Sequence, residues 1–242
     1  MNDLIEIIKL HQPYHPVVPF DQSKEKLLQL NLTEQNKELN QDIFTSTLSF
    51  SEYVNSKLQH SSSKYAIGGY TENRIVYSRS ALFSSTMDGS QEASSRSIHL
   101  GIDIWGNAGT AVYAPMEATV HSFSYNDGFG NYGATLILQH KLDDIIFHTL
   151  YGHLSLKSIE DKKEDQKIEK GEWIASFGEP HENGNWPPHL HFQIIRDIGG
   201  LKGDYPGVCS ISEKDNYLNS CPDPDLILQM MEYAVPSPLA EG

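Results

Sequence analysis

The sequence predicts a mainly β protein, a β-rich α+β chain with a helical N-terminal extension and a loop-rich C-terminal tail. Three observations carry that expectation. From residue 65 onward, short stretches rich in Val, Ile, Tyr, Phe and Thr alternate with Gly, Asn, Asp and Pro, the texture of strands joined by turns. Residues 1–64 lack that texture and close on Ser61-Ser62-Ser63, a candidate flexible joint. After Ile198, Gly199-Gly200, Tyr205-Pro206-Gly207 and Cys221-Pro222-Asp223-Pro224 break the pattern into loops. The expected organisation is an extension over 1–64, a β domain over 65–198, and a C-terminal extension over 199–242 packing on it.

Within the extension, Thr33 followed by Glu34, Gln35 and Glu38 reads as a helix start, because a side-chain oxygen caps free N–H groups and acids suit the first turn. Phe44, Leu48 and Val54 are then expected to face inward, although Phe50 and Tyr53 blur the stripe. In the β domain, strands are predicted near 110–114, 117–125, 133–140, 144–153, 172–177 and 189–195. Asn126-Asp127-Gly128 and Leu142-Asp143-Asp144 are turn-like, the second joining a hairpin. Lys157–Lys170 holds ten charges and reads as a solvated loop. Trp105 and Trp173 are expected in the core, and a helix is possible from Asp225 to Tyr233.

Composition narrows the functional classes. With 18 Lys and Arg against 32 acids, the formal charge is −14, which disfavours nucleic-acid binding and repels anionic surfaces on average. Apolar runs are strand-sized, as at Ala134–Leu138, far below the ~20 residues of a membrane span. Met1–Leu10 is acidic before it is apolar, a poor secretory signal. That favours a cytoplasmic location, or a secreted or periplasmic one if a leader was removed. Cys209 and Cys221 read as reduced thiols; a disulfide between them would imply an oxidising compartment.

Among the eleven histidines, three local patterns stand out. In Pro188-His189-Leu190-His191-Phe192, strand alternation sends His189 and His191 to one face and Leu190 and Phe192 to the other. Two buried imidazoles side by side need a use for their nitrogens, and a metal is one. In His99-Leu100-Gly101-Ile102-Asp103, the β-branched Ile102 and Ile104 argue against a helix. A straight strand would hold the two side chains about 13 Å apart, from four steps of ~3.3 Å. Convergence therefore requires a bend, which Gly101 permits. The third pattern is Thr149–Leu154, where alternation puts His153 on the face of Tyr151 and Thr149.

Two imidazoles and one carboxylate suit zinc, which in catalytic sites leaves its fourth position to water. Spacing alone leaves open which of His189 and His191 would bind.

His99-x-x-x-Asp103, then Tyr151-x-His153-Leu154-Ser155, then His189-Leu190-His191-Phe192 resembles the lysostaphin-like or LytM-like zinc metallopeptidases. Gly109–Pro115, Gly130–Gly133 and Gly171–Ala175 fit as connecting phrases, and the likeness covers roughly residues 96–196. The resemblance implies an antiparallel β-sheet catalytic core with a groove. It implies one Zn2+ per chain held by His99, Asp103 and His191, with His153 and His189 as catalytic partners. The implied activity is zinc-dependent hydrolysis of peptide bonds in peptidoglycan-type peptides; a groove-binding module or an intracellular hydrolase of a small amide are the alternatives. Three features depart from the pattern: the long segment Glu179–Pro188, which should wall the groove; Gln193 where an acid often follows; and the acidic charge. Asn73 is a candidate to cover the metal from upstream, with a plain turn the simpler reading, and His181 reads as a surface histidine.

Overall fold

A computed structural model describes residues 3–84 and 95–237. Its strands are β1 (Leu27–Gln29), β2 (Tyr65–Gly68), β3 (Arg96–His99), β4 (Ile102–Trp105), β5 (Ala111–Tyr113), β6 (Ala118–Asn126), β7 (Gly133–Leu142), β8 (Ile145–Leu154), β9 (Lys167–Ile168), β10 (Trp173–Ser176), β11 (His189–Ile195), β12 (Val208–Ser210) and β13 (Ala234–Pro236). The mainly β expectation holds, and the strands forecast from residue 110 to 195 fall close to their observed bounds.

A nine-stranded sheet runs in the order β13-β1-β2-β4-β11-β8-β7-β6-β9. From β2 to β9 every pairing is antiparallel; β1 pairs parallel with both β2 and β13. Residues from the N-terminal extension and the C-terminal tail thus complete the same sheet. Two-stranded sheets, β5 with β10 and β3 with β12, flank it. The β7–β8 hairpin turns at Asp143-Asp144, where Asp143 takes φ 53°, a left-handed value that a short polar side chain tolerates.

The sheet is covered on both faces. Leu136, Leu138, Leu190, Phe192 and Ile194 face the main core. Ile137, Leu150 and Ile195 face a second cluster with Ile98, Leu100, Tyr205, Cys209 and Cys221, so the tail seals that side. Cys209 and Cys221 are buried free thiols. No helix among the described residues is long and apolar enough to cross a membrane.

The extension corrects several expectations. No helix starts at Thr33, whose N–H and hydroxyl both bond to Asn31 Oδ1 at 2.8 and 2.7 Å, while its backbone bridges to Arg74. Local side-chain bonds of this kind compete with helix. The main helix, α1 in our numbering (Thr47–Ser61), is capped instead by Ser46, whose Oγ accepts from Ser49 N–H at 3.0 Å. Phe50 and Val54, one turn apart, point inward; Leu48 is 68% exposed, because six residues separate it from Val54, about 600° of turn. Lys157–Lys170 is not wholly solvated: Ile159 and Ile168 are buried and β9 pairs with β6. Trp105 is core, but Trp173 is 50% exposed. Helix at the tail is short, Asp225–Leu228, ended by Gln229 at φ 50°.

His140 on β7 is buried, with Nδ1 donating to the Glu117 carbonyl at 3.0 Å and Nε2 2.7 Å from Thr149 Oγ1. Burial pushes its pKa down to about 4. Between pH 6.5 and about 4 the unfolded chain therefore binds a proton that the folded chain does not, so stability falls as pH falls, by on the order of 3 kcal/mol across the window. Urea midpoints should drop more steeply from pH 7 to 5 in the wild type than in His140→Asn; equal slopes would contradict this.

Candidate metal centre

β4 and β11 lie side by side in a register that sets His191 opposite Asp103 and His189 opposite Trp105. Alternation along β11 sends Leu190, Phe192 and Ile194 into the main core, leaving His189, His191 and Gln193 together on the other face. His99 ends β3, which pairs with β12, whereas β4 pairs with β2 and β11, so the chain changes sheets across Leu100–Gly101. That bend brings His99 Nε2 to 3.3 Å from Asp103 Oδ1. Gly101 is needed for close approach: a Cβ there would lie 2.5 Å from His191 Cε1 and 2.8 Å from the Phe192 oxygen.

His99 Nε2, Asp103 Oδ1 and His191 Nδ1 form a buried triangle with sides of 2.9, 3.1 and 3.3 Å. A tetrahedral ion with bonds of about 2.0–2.1 Å spaces its ligand atoms about 3.3 Å apart, so the donor set fits a metal.

Hydrogen bonds fix which ring nitrogen faces inward. His99 Nδ1 lies 3.1 Å from the Gly69 carbonyl, which can only accept, so Nδ1 carries the proton and Nε2 a lone pair. His191 Nε2 lies 2.9 Å from Gln193 Oε1, and Gln193 Nε2 donates to the Pro206 carbonyl at 3.1 Å. The Pro206 contact orients the amide, so His191 is protonated on Nε2 and offers Nδ1. Asp103 Oδ2 accepts from Arg74 Nη1, and Arg74 Nε donates to Glu72 Oε2 at 2.9 Å. Burial alone would raise the Asp103 carboxyl, but His99 and Arg74 beside it hold it well below the usual range. Burial, with Arg74 adding to it, pushes His99 down to about 3.

His153 and His189 stack at 4.1 Å between centroids, and His189 Nε2 stands 3.9 Å from Asp103 Oδ1. Each donates Nδ1–H to a main-chain carbonyl, His153 to Asn183 at 2.8 Å and His189 to Pro187 at 2.7 Å. Their Nε2 atoms therefore carry lone pairs. Burial lowers His189 to about 4; burial and the neighbouring His189 hold His153 well below the ordinary imidazole value. Both rings are neutral bases near pH 7.

All five predicted residues thus converge. One detail of the strand reading is corrected: His153 does not share a face with Tyr151. Tyr151 packs on Phe192 in the main core, whereas His153 stacks on His189 across the sheet. A bulge between the Ala134 and Leu136 pairings adds a residue to β8, and His153 takes φ 62°, so the alternation changes phase there.

Asn73 is exposed and bridges to Ile98; its neighbour Arg74, buried at 3% exposure, is the upstream residue that reaches the site. His181 is exposed. Arg74, Tyr132 (its hydroxyl 3.4 Å from His191 Nε2) and the carbonyls of Gly69, Asn183, Pro187 and Pro206 were not read as site groups from sequence. Main-chain acceptors carry no residue signature, but Asn73 and the phrase Gly130–Gly133 did mark the segments holding Arg74 and Tyr132.

A buried two-imidazole, one-carboxylate set with two further neutral imidazoles is a donor set of the kind that a metallohydrolase uses. Residues 97–203 match the model of peptidase family M23, the kind of peptidase that the motifs resemble. An uncharacterized metalloprotease of Haemophilus influenzae is 32% identical over 115 residues, covering 46% of this chain and 22% of that protein. The chain thus spans about a fifth of the length of this relative. Among solved structures, a zinc containing peptidase from Vibrio cholerae aligns at 27% identity over 46% of this chain and 32% of its own, with a TM-score of 0.33. The catalytic domain of lysostaphin from Staphylococcus simulans aligns at 19% identity over 69% and 96% respectively, with a TM-score of 0.37.

Two substitutions test the geometry. Gly101→Ala should displace His191 and weaken metal binding at least tenfold in competition titrations, with far-UV circular dichroism retained. Arg74→Met, which removes the partner of Asp103 Oδ2, should weaken it about 10–100-fold. Wild-type affinity in both would contradict the proposed ligand set.

Proposed function

We propose that this domain is a zinc-dependent hydrolase of peptide amide bonds, with peptidoglycan-type peptides as the first substrates to test. One zinc is held by His99 Nε2, Asp103 Oδ1 and His191 Nδ1. The observation that carries the reading is the set of fixed tautomers: three inward lone pairs on the ligand residues and two more on His153 and His189. When bound, zinc supplies a Lewis acid that polarises a carbonyl and lowers the pKa of water.

The chain's own groups do the rest. His189, with its Nε2 beside Asp103, is placed to take a proton from water as general base. His153, stacked on it, is placed either to share that proton or, once protonated, to donate from Nε2 to the oxygen or nitrogen of the breaking amide. The Asn183 and Pro187 carbonyls hold both rings in the tautomer this requires. Arg74 stays with Asp103 and keeps one carboxylate oxygen directed at the metal position.

Purified protein should bind one zinc per chain and hydrolyse peptides from a panel of peptidoglycan stem and bridge fragments. His153→Ala and His189→Ala should each lower kcat by about 10²–10⁴-fold with zinc content unchanged. Full zinc occupancy with no hydrolysis across the panel would overturn the assignment in favour of a groove-binding module.

A further inference from the structure

A cavity of about 340 Å3 opens beside the donor triangle, with Asp103, His153, His189 and His191 among its lining. Its remaining wall is mostly apolar and aromatic: Tyr77, Phe83, Trp186, Tyr205 and Val208 all face it and are themselves at most 8% exposed. Leu82 and Leu201, also on the lining, are 42% and 47% exposed, so apolar surface continues to the mouth. A glycine-only peptide offers such a wall nothing to bury, whereas a large apolar side chain gains from filling it.

The charge on the lining runs against the rest of the molecule. In a chain of formal charge −14, three cations, Arg74, Arg96 and Lys202, line the cavity against two carboxylates, Asp103 and Asp204. Lys202 pairs with Glu164 at 2.7 Å, and Arg74 with Asp103 and Glu72. Arg74 nevertheless keeps Nη2 buried and without a hydrogen-bond partner among the described residues, a donor still unspent beside the reacting position. Arg96 donates Nη2–H to the Leu82 carbonyl and lies 5.5 Å from the Phe83 ring. No carboxylate of the described residues comes within ion-pair distance of it; Asp204 is the nearby acid whose charge it feels. Arg96 thus presents a guanidinium with capacity to take an anion at the edge of an apolar pocket.

We propose that this groove takes the C-terminal end of a peptide, its last side chain apolar and seated against Tyr77, Phe83 and Val208, its free carboxylate facing Arg96. The proposal rests on the hydrolytic reading of the triad and narrows it. Water adds across the last amide: its oxygen bonds to the carbonyl carbon, the C–N bond breaks, and a proton goes to the departing nitrogen. The leaving group is a free apolar amino acid.

The test uses the zinc-loaded full chain and three probes: benzoyl-glycyl-phenylalanine, its C-terminal amide, and benzoyl-glycyl-glycine. The free phenylalanine acid should exceed both others by tenfold or more in kcat/KM. Arg96→Gln should raise KM for the acid and bring the acid-to-amide ratio close to one. The proposal is overturned if the amide or the glycine probe equals the phenylalanine acid, or if Arg96→Gln leaves the ratio unchanged. Hydrolysis of stem or bridge fragments with none of the three probes cleaved would also overturn it while leaving the hydrolase assignment standing. No hydrolysis of any peptide would remove both.

Discussion

Three lone pairs point at one another inside this protein. His99 Nε2, Asp103 Oδ1 and His191 Nδ1 lie 2.9–3.3 Å apart, each fixed as an acceptor by what its other side bonds to. Buried acceptors at that spacing repel unless a positive charge lies among them, and the cost is high where water cannot intervene. Much of the surrounding architecture holds that arrangement. The change of sheet at Leu100–Gly101 folds His99 back onto Asp103, the β4–β11 register adds His191, and Arg74 balances part of the negative charge through Asp103 Oδ2. A divalent cation is the natural complement of such a centre.

The long segment Glu179–Pro188 acts as a positioning device. Asn183 is fully buried; its amide bonds the carbonyls of Gly178 and Trp186 and accepts from Trp186 N–H, which pins the loop. The carbonyls of Asn183 and Pro187 then orient His153 and His189, while Trp186 joins the groove wall. The same ten residues therefore set both the orientation of the stacked imidazole pair and part of the groove wall. Strain is local to the chemistry, too: His153 sits at φ 62°, a conformation that a non-glycine side chain adopts at a cost.

How much of this was legible in the sequence depends on the kind of signal. Strand periodicity placed β6, β7, β8, β10 and β11 well, because alternating burial writes itself into residue type. The shared face of His189 and His191 followed from the same period of two, and the need for a bend at Gly101 followed from the distance a straight strand would impose. Alternation failed at His153, since a one-residue bulge shifts the phase without altering composition. The extension was hard to read because Asn31 diverts Thr33 from capping, and only the packing of Phe50 and Val54 shows which face of the helix turns inward. Main-chain acceptors leave no mark on residue type, and the pairing of Arg74 with Asp103, 29 residues apart, has no local pattern to announce it.

In the proposed centre two imidazoles and one carboxylate hold a single zinc, with one position left to a non-protein ligand. X-ray absorption spectroscopy of the zinc-loaded protein tests it most directly. The expected result is four-coordinate zinc with nitrogen and oxygen neighbours at about 2.0–2.1 Å, multiple scattering from two imidazoles, and a spectrum that changes when a small anion is added. A sulfur shell at about 2.3 Å, or a four-residue shell indifferent to added anion, would contradict it.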